Sequence, residues 1–463
     1  MSRYFRWMLV LSLTLLNACK KESHELSAHF QDQFIQVYFN HRASNFSTYI
    51  DPYREIERSG DNLEAVIIEQ IATANDTIDL AVQELNLPLI AQALVKSHRS
   101  GVKVRVVLDN NYSQSLSELT PQEVKRLNRR DRQKYNEYFQ LVDLNRNGTL
   151  STTEIAQQDA LVILRQADIP LIDDTADGSK GSGLMHHKYL VIDGQKVIAG
   201  SANFTLSGIH GDFSNRETKG NINHLLTIDN VDVAGLFTEE FDYMWGDNSD
   251  GGINSKFGLA KPWRSPISIT WKNTEITIQF SPTSSNKKDW QLSSNGSIGK
   301  VLNQANDSID LALFVFSEQE IADILQQKQQ EGVKIRGVFD PSFAFRYYSE
   351  VLDMLGVTLY YHCQAEANNN PWQKPLETIG TPLVNVGDKL HHKFSLIDSQ
   401  IVISGSQNWS KAANYNNDEA LIIINNPTVA KHFDQEFQRL YQQASLGLPQ
   451  RINNQLKQQQ KCN

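Results

Sequence analysis

One short pattern of residues suited to acid–base and phosphate chemistry occurs twice in this chain of 463 residues. The first copy comprises His186, Lys188, Asp193, Ser201 and Asn203. The second copy keeps the same internal spacing and comprises His391, Lys393, Asp398, Ser406 and Asn408. Histidine serves as a nucleophile or a general acid, while lysine, serine and asparagine donate hydrogen bonds to phosphate oxygens. The pattern predicts one phosphate-handling site assembled from two half-sites.

The spacing within each copy fits a β-strand, in which alternate residues share a face. His186 and Lys188 then point into the site, whereas His187 points the other way. The second histidine of each His-His pair is therefore predicted to pack in the core. Asp193 and Asp398 are interpreted as structural residues that hold the following turn or the neighbouring lysines, because a carboxylate beside the phosphate would repel it.

Zinc binding is the alternative chemistry for paired histidines. A lysine two residues after each first histidine would repel a cation, and no cysteine or carboxylate cluster occurs at a zinc-ligand spacing. We therefore expect no cofactor for catalysis. The formal net charge of −9 argues against a protein that coats nucleic acid with a wide basic surface, although it leaves room for a basic pocket.

The elements that must position these motifs are duplicated as well. Residues 74–81 reappear at 305–312, and residues 101–105 reappear at 332–336 with the same offset. Each copy has the pattern of a strand, a helix and a second strand. Alternating strands and helices favour an α/β fold with a parallel or mixed sheet that is covered by helices.

The first copy contains extra residues before its histidine motif, and an EF-hand calcium loop lies among them. Gly148 occupies the position of the sharp turn and Leu150 that of the apolar plug. The predicted calcium ligands are Asp143, Asn145, Asn147, Thr149, Ser151 and Glu154. Because only two of them are acidic, we expect modest affinity for Ca²⁺ and a structural role. A loop retained only for its shape is the alternative.

The N-terminus has the features of a bacterial export signal. Two arginines precede an apolar run that ends at Leu16 and is too short to span a membrane. The residues up to Cys19 resemble a lipobox, which predicts a lipid anchor on that cysteine and a place in the cell envelope. Lys20 after the cysteine suggests the outer membrane. An ordinary secretory signal is the alternative.

These features divide the chain into predicted segments. They are a signal peptide (1–18), a first repeat (33–248) with the EF-hand insertion (117–165), a linker (249–274), a second repeat (275–448) and a polar tail (449–463). If Cys19 is lipidated, Cys363 and Cys462 remain. In an oxidising compartment they either pair, which would pin the tail to the second repeat, or stay separate thiols.

The duplicated His-x-Lys-x4-Asp pattern resembles the signature of the phospholipase D superfamily, and residues 405–441 are similar to its small bacterial nucleases and cardiolipin hydrolases. The resemblance implies two tandem α/β/α sandwich repeats that pack pseudo-symmetrically. It also implies metal-independent hydrolysis through a phosphohistidine. Since both half-sites lie in one chain, we expect a monomer.

The resemblance also suggests a role for each histidine. Members of the superfamily place a glutamate after the second motif to orient a histidine, and Glu419 occupies that position, opposite Asn223 in the first repeat. A glutamate partner favours a charged imidazolium, so we expect Glu419 beside His391 as the general acid. His186, with an uncharged partner, is then expected to be the nucleophile.

Motif and fold leave the substrate open. The expected membrane anchor and the acidic charge favour phospholipid head groups, and an exported nuclease for DNA or RNA is the alternative. A binding protein with a decayed site is a third interpretation. A lipid-cleaving site would need an apolar rim, for which the candidates are Phe204, Phe343, Phe345, Tyr347, Tyr348 and Trp409. For Phe204 and Trp409 we expect core packing instead.

Overall fold

The computed structural model describes residues 30–42, 47–282 and 289–459. The predicted signal peptide, the lipobox with Cys19, and Cys462 lie outside the described residues. Within the described ranges, no helix is both long and apolar enough to cross a membrane.

The first half contributes nine strands and eight helices among the described residues. The strands are β1 (Ile35–Phe39), β2 (Thr48–Ile50), β3 (Glu57–Ser59), β4 (Thr77–Val82), β5 (Lys103–Leu108), β6 (Leu171–Asp173), β7 (Lys188–Ile192), β8 (Lys196–Gly200) and β9 (His224–Asp229). The helices are α1 (Leu63–Ile71), α2 (Pro88–Arg99), α3 (Pro121–Arg126), α4 (Arg129–Val142), α5 (Thr152–Gln158), α6 (Ala160–Gln166), α7 (Leu206–Ile209) and α8 (Val231–Trp245). Seven strands form one sheet in the order β1-β9-β8-β7-β4-β5-β6.

The second half forms a nine-stranded sheet in the described part of the chain. Its strands and the short β13 and β18 are β10 (Ile267–Trp271), β11 (Thr274–Ser281), β12 (Ser308–Leu313), β13 (Phe316–Ser317), β14 (Lys334–Phe339), β15 (Ile379–Thr381), β16 (Lys393–Ile397), β17 (Ile401–Gly405), β18 (Trp409–Ser410), β19 (Glu419–Asn425) and β20 (Ser445–Leu446). The sheet order is β10-β11-β19-β17-β16-β12-β14-β15-β20. The helices are α9 (Ser294–Leu302), α10 (Gln319–Gln330), α11 (Glu350–Met354), α12 (Lys411–Tyr415), α13 (Pro427–Tyr441) and α14 (Gln450–Gln459).

The two sheets share one topology, which confirms the predicted α/β fold. The order β9-β8-β7-β4-β5-β6 corresponds to β19-β17-β16-β12-β14-β15. In both sheets the pair next to the motif strand is parallel (β4 with β5, and β12 with β14), while the motif strands β7 and β16 run antiparallel to their neighbours. The duplication seen in the sequence therefore repeats a whole sheet and not only a motif.

A common hydrophobic core joins the halves. It contains Phe237 and Phe241 of α8 together with Phe433 and Phe437 of α13. Helix α8 packs on β8 and reaches β11 of the other half, and α13 packs on β17 and reaches β1. Each helix begins after an asparagine whose side chain accepts hydrogen bonds from the first turn. The shared core lets one site bridge both halves.

Two predicted boundaries need correction. The predicted linker 249–274 contains β10, which pairs with β11 at the edge of the second sheet. The residues of β10 alternate between apolar and polar (Ile-Ser-Ile-Thr-Trp), so the sequence did carry the signal of a strand, which the glycines and prolines of the same stretch masked. The predicted polar tail contains α14, whose Ile452 packs against Leu352 and Leu359. A few buried side chains were enough to dock a helix that is otherwise polar.

The end of α14 is tied to the second half. The side-chain amide of Gln459 donates to the Tyr360 carbonyl (2.9 Å) and accepts from its backbone N–H (3.1 Å). Cys363 is disulfide-bonded. The second cysteine of that bond lies outside the described residues, so the pairing with Cys462 stays a prediction.

Candidate active site

Both motifs lie where the two halves meet. His186 and His391 come just before the motif strands β7 and β16. The backbone N–H of His186 donates to the carbonyl of Asp418 (2.9 Å), and that of His391 donates to the carbonyl of Ile222 (3.0 Å). Each histidine is thus fixed by a main-chain hydrogen bond from the opposite half, which makes one site out of two half-sites.

The side chains of the two histidines are also oriented across the interface. Glu419 Oε2 lies 2.7 Å from His186 Nδ1. Asn223 Oδ1 lies 3.0 Å from His391 Nδ1, which also contacts the Ser201 carbonyl oxygen at 3.0 Å. Since these oxygens accept, each Nδ1 carries the hydrogen and each neutral ring presents the lone pair of Nε2.

The expectation that Glu419 lies beside His391 is therefore wrong. Glu419 begins β19 of the second half, yet it contacts the histidine of the first half, and Asn223 makes the reciprocal contact. The cause is the pairing of segments from opposite halves at the interface, where Met185 forms a β-bridge with Asp418 and Ile222 forms one with Leu390. Comparing the repeats one by one could not reveal this crossing.

Burial controls the protonation of the site. Burial, reinforced by the two motif lysines, holds the pKa values of His186 and His391 well below the usual range, so both rings are neutral near pH 7. Burial also raises the pKa of Glu419 to about 7 and lowers that of Lys188 to about 7. Burial likewise lowers the pKa of Lys393 well below its usual range. A bound phosphate anion would restore positive charge to the two lysines.

The two lysines have donors to spare. Lys188 Nζ donates to the His186 carbonyl (2.8 Å) and to Gln83 Oε1 (3.4 Å). Lys393 Nζ donates to the His391 carbonyl (2.7 Å). Once a bound anion has restored their charge, each ammonium group has three N–H donors, so each lysine retains at least one for a phosphate oxygen. Both side chains are almost fully buried, which strengthens their attraction for an anion.

The motif asparagines and serines play different parts. Asn203 Nδ2 donates to Gln83 Oε1 (3.2 Å), beside the Lys188 ammonium. Ser201 Oγ instead donates to Asn223 Oδ1 (2.8 Å), and the Ser406 hydroxyl bonds to Glu419. The serines were expected to donate to phosphate, but they hold the residues that orient the histidines. Asn408 occupies the place equivalent to Asn203.

The motif aspartates lie at the far ends of β7 and β16. The Asp193 carboxylate accepts from the backbone N–H groups of Asn75, Asp76 and Thr77 at 2.8 to 2.9 Å. Asp398 makes the same contacts in the second half, with residues 306–308. They fix the turn before β4 and β12, and they do not reach the histidines.

The second histidine of each pair is fully buried. His187 Nε2 lies 2.8 Å from Glu240 Oε1, and His392 Nε2 lies 3.0 Å from Glu436 Oε1. His224 joins this inner layer through a contact of 3.0 Å between its Nδ1 and that of His392. Phe204 and Trp409 are also buried, as expected for core residues.

Two further pairs of site residues were missed at the sequence level. Asp109 and Asp340 follow β5 and β14, and their carboxylates accept from the backbone N–H groups just before the histidines, at Met185 (3.0 Å) and Leu390 (2.9 Å). The duplicated strands at 101–105 and 332–336 carried that signal, since an aspartate follows each at the same offset.

The other pair, Gln83 and Phe314, makes the site asymmetric. Both residues follow the duplicated strand β4 or β12 at the same place. Gln83 contacts Lys188 and Asn203, whereas the ring of Phe314 lies 4.6 Å from that of His391, between centroids. Phe343 extends this aromatic wall, 4.7 Å from Phe314. The first half-site is polar and the second is aromatic.

The loop that leads into His391 is apolar and exposed. Leu383 is 71% exposed and Val386 is 86% exposed. The loop is fixed at the interface, because Asn215 of the first half donates to the Val386 carbonyl (2.7 Å). Of the aromatic rim candidates, Tyr347 is exposed, whereas Phe343, Phe345 and Tyr348 are half-buried.

Helices α4 and α5 flank the loop for which the sequence predicts an EF-hand. Asp143 accepts from the N–H groups of Asn147 (3.1 Å) and Gly148 (2.9 Å), and Glu154 accepts from Asn145 (3.2 Å) and Ser151 (3.0 Å). The terminal carboxylates thus face the same small loop, together with amide and hydroxyl oxygens. Such an all-oxygen set suits Ca²⁺.

Helix α4 also reaches the first half-site. Lys134 pairs with Glu84 (3.2 Å), the residue after Gln83. Glu137 accepts from the backbone N–H groups of Phe213 (2.5 Å) and Ser214 (3.1 Å). The insertion is therefore attached to the loops that carry site residues. A loss of order in the insertion would loosen those loops.

Comparison with known proteins places this geometry in a family. The PLD-like family described as "Cardiolipin synthase, PLD-like domain" matches residues 67–245 and 298–441, well over half of the chain. The mitochondrial cardiolipin hydrolase of Homo sapiens is 28% identical over 144 residues, which are 31% of this chain and 49% of that protein. The Mus musculus protein of the same name is 27% identical over 146 residues, 31% of this chain and 56% of that protein.

The chain thus spans about half the length of these curated relatives. Among solved structures, phosphatidylserine synthase from Haemophilus influenzae Rd KW20 shares the fold, with a TM-score of 0.53 at 12% identity over 93% of this chain and 94% of that one. The duplicated sheets, the crossed histidines and the family match agree, and they support a phosphodiesterase-type activity. The chain belongs to the PLD-like domain family that carries the description "Cardiolipin synthase, PLD-like domain".

Proposed function

We propose that the chain hydrolyses the head-group phosphodiester of phospholipids, in the manner of phospholipase D, through a phosphohistidine. One observation carries the proposal: two neutral histidines, each with a free Nε2 lone pair, lie in one buried site with two lysines. Such a site provides a nucleophile, a proton carrier and charge for the phosphate without a metal.

In the first step, His186 Nε2 attacks phosphorus and the bond to the leaving alcohol breaks. His391, which takes up a proton when the anionic substrate binds, donates it to the leaving oxygen. Water then attacks phosphorus, His391 accepts a proton from that water, and the bond to His186 breaks. The products are a phosphatidate and a free alcohol, with one water consumed.

The same roles for the two histidines follow from their partners in the other half, although the reason differs from the one expected from the sequence. Bonding to phosphorus makes the His186 ring cationic, and the Glu419 carboxylate at Nδ1 stabilises that cation. Asn223 offers His391 only a neutral amide oxygen. An imidazolium without a carboxylate partner is the stronger acid, which suits protonation of a leaving alkoxide.

The exposed loop favours a lipid substrate. Leu383 and Val386 extend into solvent at the approach to His391, where they would insert between lipid head groups. The names of the cardiolipin hydrolases and the proposed lipid anchor on Cys19, which would hold a monomer in the cell envelope, point the same way. An exported nuclease for DNA or RNA is the second candidate, because the aromatic wall of Phe314 and Phe343 also suits base stacking.

We expect the purified chain to release phosphatidate from phospholipid vesicles in the presence of EDTA, and to nick plasmid DNA far more slowly.

Leu383→Asp together with Val386→Asp should lower activity on vesicles more than on a short-chain monomeric lipid. The control is Val231→Asp, another exposed apolar residue (62%), at the opposite end of β9 from Asn223. Plasmid nicking alone would favour the nuclease, and loss of activity in EDTA would exclude the metal-free mechanism.

We further propose that the EF-hand loop binds Ca²⁺ and stabilises the insertion. With Kd on the order of 1 mM, 10 mM Ca²⁺ should add about 1.4 kcal/mol to the free energy of unfolding. Glu154→Gln should remove this gain in a denaturation experiment. Glu123→Gln is the matched control, because Glu123 and Glu154 both close a capping box at the start of a helix. Equal stabilisation of all three proteins by Ca²⁺ would mean that the ion binds elsewhere.

A further inference from the structure

A cavity of about 400 Å³ opens in the second half, on the side of His391. It is formed by the segment that follows β14 and by the first turns of α14. Its lining includes Phe345, Arg346, Tyr347, Tyr361, Arg451 and Gln455. The catalytic chemistry described above uses none of these residues.

The lining is cationic although the chain as a whole is acidic. Two arginines and no carboxylate face the cavity, whereas the formal net charge of the chain is −9. Arg346 donates through Nε to the Ser342 carbonyl (2.9 Å), and Arg451 reaches the Pro341 carbonyl only at 3.5 Å. Among the described residues neither arginine forms an ion pair with a carboxylate, so most of their N–H donors are available.

The cavity lies beside the second half-site, and two short series of contacts connect them. Ser342, in its wall, accepts from Lys389 Nζ at 2.6 Å, two residues before His391. The next residue, Phe343, belongs to the aromatic wall that contacts the His391 ring through Phe314. A substrate group that extends from the reacting phosphorus past this wall would therefore approach Lys389 and the two arginines.

The equivalent side of the first half-site is arranged differently. Tyr112 is the counterpart of Phe343, and the cation beside it, Lys134, is already paired with Glu84. The insertion covers this side through α4. The aromatic wall of the second half-site thus leads to two arginines that form no ion pair among the described residues, whereas the cation at the equivalent place of the first half-site is paired. This difference would give the substrate a direction.

We propose that this cavity, the arginine pocket, binds a second phosphate group of the same substrate molecule. The inference rests on the proposed phosphodiesterase function, and it narrows the substrate class to molecules with two phosphates joined by a short linker. Paired guanidinium groups bind phosphate through several charge-assisted hydrogen bonds, and the tyrosines offer further donors. The second phosphate would lie on the leaving-group side, since His391 protonates the leaving oxygen.

Direct binding tests the pocket independently of catalysis. Titration calorimetry on the full chain would compare glycerol 1,3-bisphosphate with glycerol 3-phosphate, and deoxyadenosine 3′,5′-bisphosphate with the 5′-monophosphate. We expect a bisphosphate to bind at least about tenfold more tightly than its monophosphate. An advantage in the glycerol pair identifies a lipid source, and an advantage only in the nucleoside pair identifies nucleic acid.

Arg346→Ala combined with Arg451→Ala should reduce this advantage to less than about twofold. The control is Lys96→Ala with Arg99→Ala, which removes two cations from another cavity of about 500 Å³ and should keep the advantage intact. An equal affinity for mono- and bisphosphates in the wild-type chain overturns the proposal, and so does an advantage that survives the double arginine change. Absent hydrolysis with the advantage intact would reject only the proposed function.

Discussion

Replacing His186 with alanine should lower kcat by at least ~10⁴-fold, because the residue supplies the atom that bonds to phosphorus. The two histidines should differ in what they leave behind. His391→Ala should still react once with bis(p-nitrophenyl) phosphate, since p-nitrophenolate leaves without protonation. It should then stall, because no base remains to activate water, and phosphorylated His186 should accumulate.

Quenching under denaturing, alkaline conditions and mass spectrometry of the peptides would locate the phosphoryl group. His98→Ala is the control, because His98 is a partly exposed histidine on α2 that takes no part in the site. Its rate should match that of the unaltered chain. A phosphoryl group found on His391 would reverse the roles and would refute the argument that Glu419 stabilises a cationic phosphohistidine.

Glu240→Ala should destabilise the fold by about 3–5 kcal/mol, the usual cost of breaking a buried ion pair from one side. Glu240 is fully buried and contacts His187, Lys261 and Arg264. Burial alone would raise its pKa, but the two cations lower that pKa well below the usual range. Removing the Glu240 carboxylate takes its negative charge away from Lys261 and Arg264 in the protein interior.

Guanidinium chloride unfolding would measure the loss as a lower midpoint. The adjacent Glu239→Ala is the matched control, since that side chain is 46% exposed and lies 3.7 Å from Arg264. It should cost no more than ~0.5 kcal/mol. If Glu240→Ala does not fold, Glu240→Gln keeps the shape and removes the charge. Equal midpoints for the two alanine variants would show that the buried network contributes little.

The sequence was sufficient to predict the duplicated unit and the residues of the two motifs. The offset shared by residues 74–81 and 101–105 with their copies predicted a duplicated α/β unit, and the two sheets repeat strand by strand. The alternation of a strand predicted that His187 and His392 face the core, where both are fully buried. Both properties depend only on the spacing of residues along the chain, so they can be predicted without knowledge of the packing.

The partners across the interface could not be predicted in this way. Glu419 contacts the histidine of the other repeat, and a comparison of repeats treats each one separately. The same limit applies to Arg451, which α14 brings to the segment after β14 although more than a hundred residues separate them in the chain. Packing decides such contacts, and few side chains direct it: Ile452 is the one fully buried residue of α14.

The crossed contacts make the two halves mutually dependent. A free-standing first half would retain His186 and Lys188 but would lose Glu419, and a free-standing second half would lose Asn223. Only a partner presenting the same surface, such as a second copy, could replace what is missing. Substitutions at positions 186 and 419, and at 391 and 223, should therefore covary between the two halves. Sequence change at these positions of one repeat is then constrained by the residues of the other.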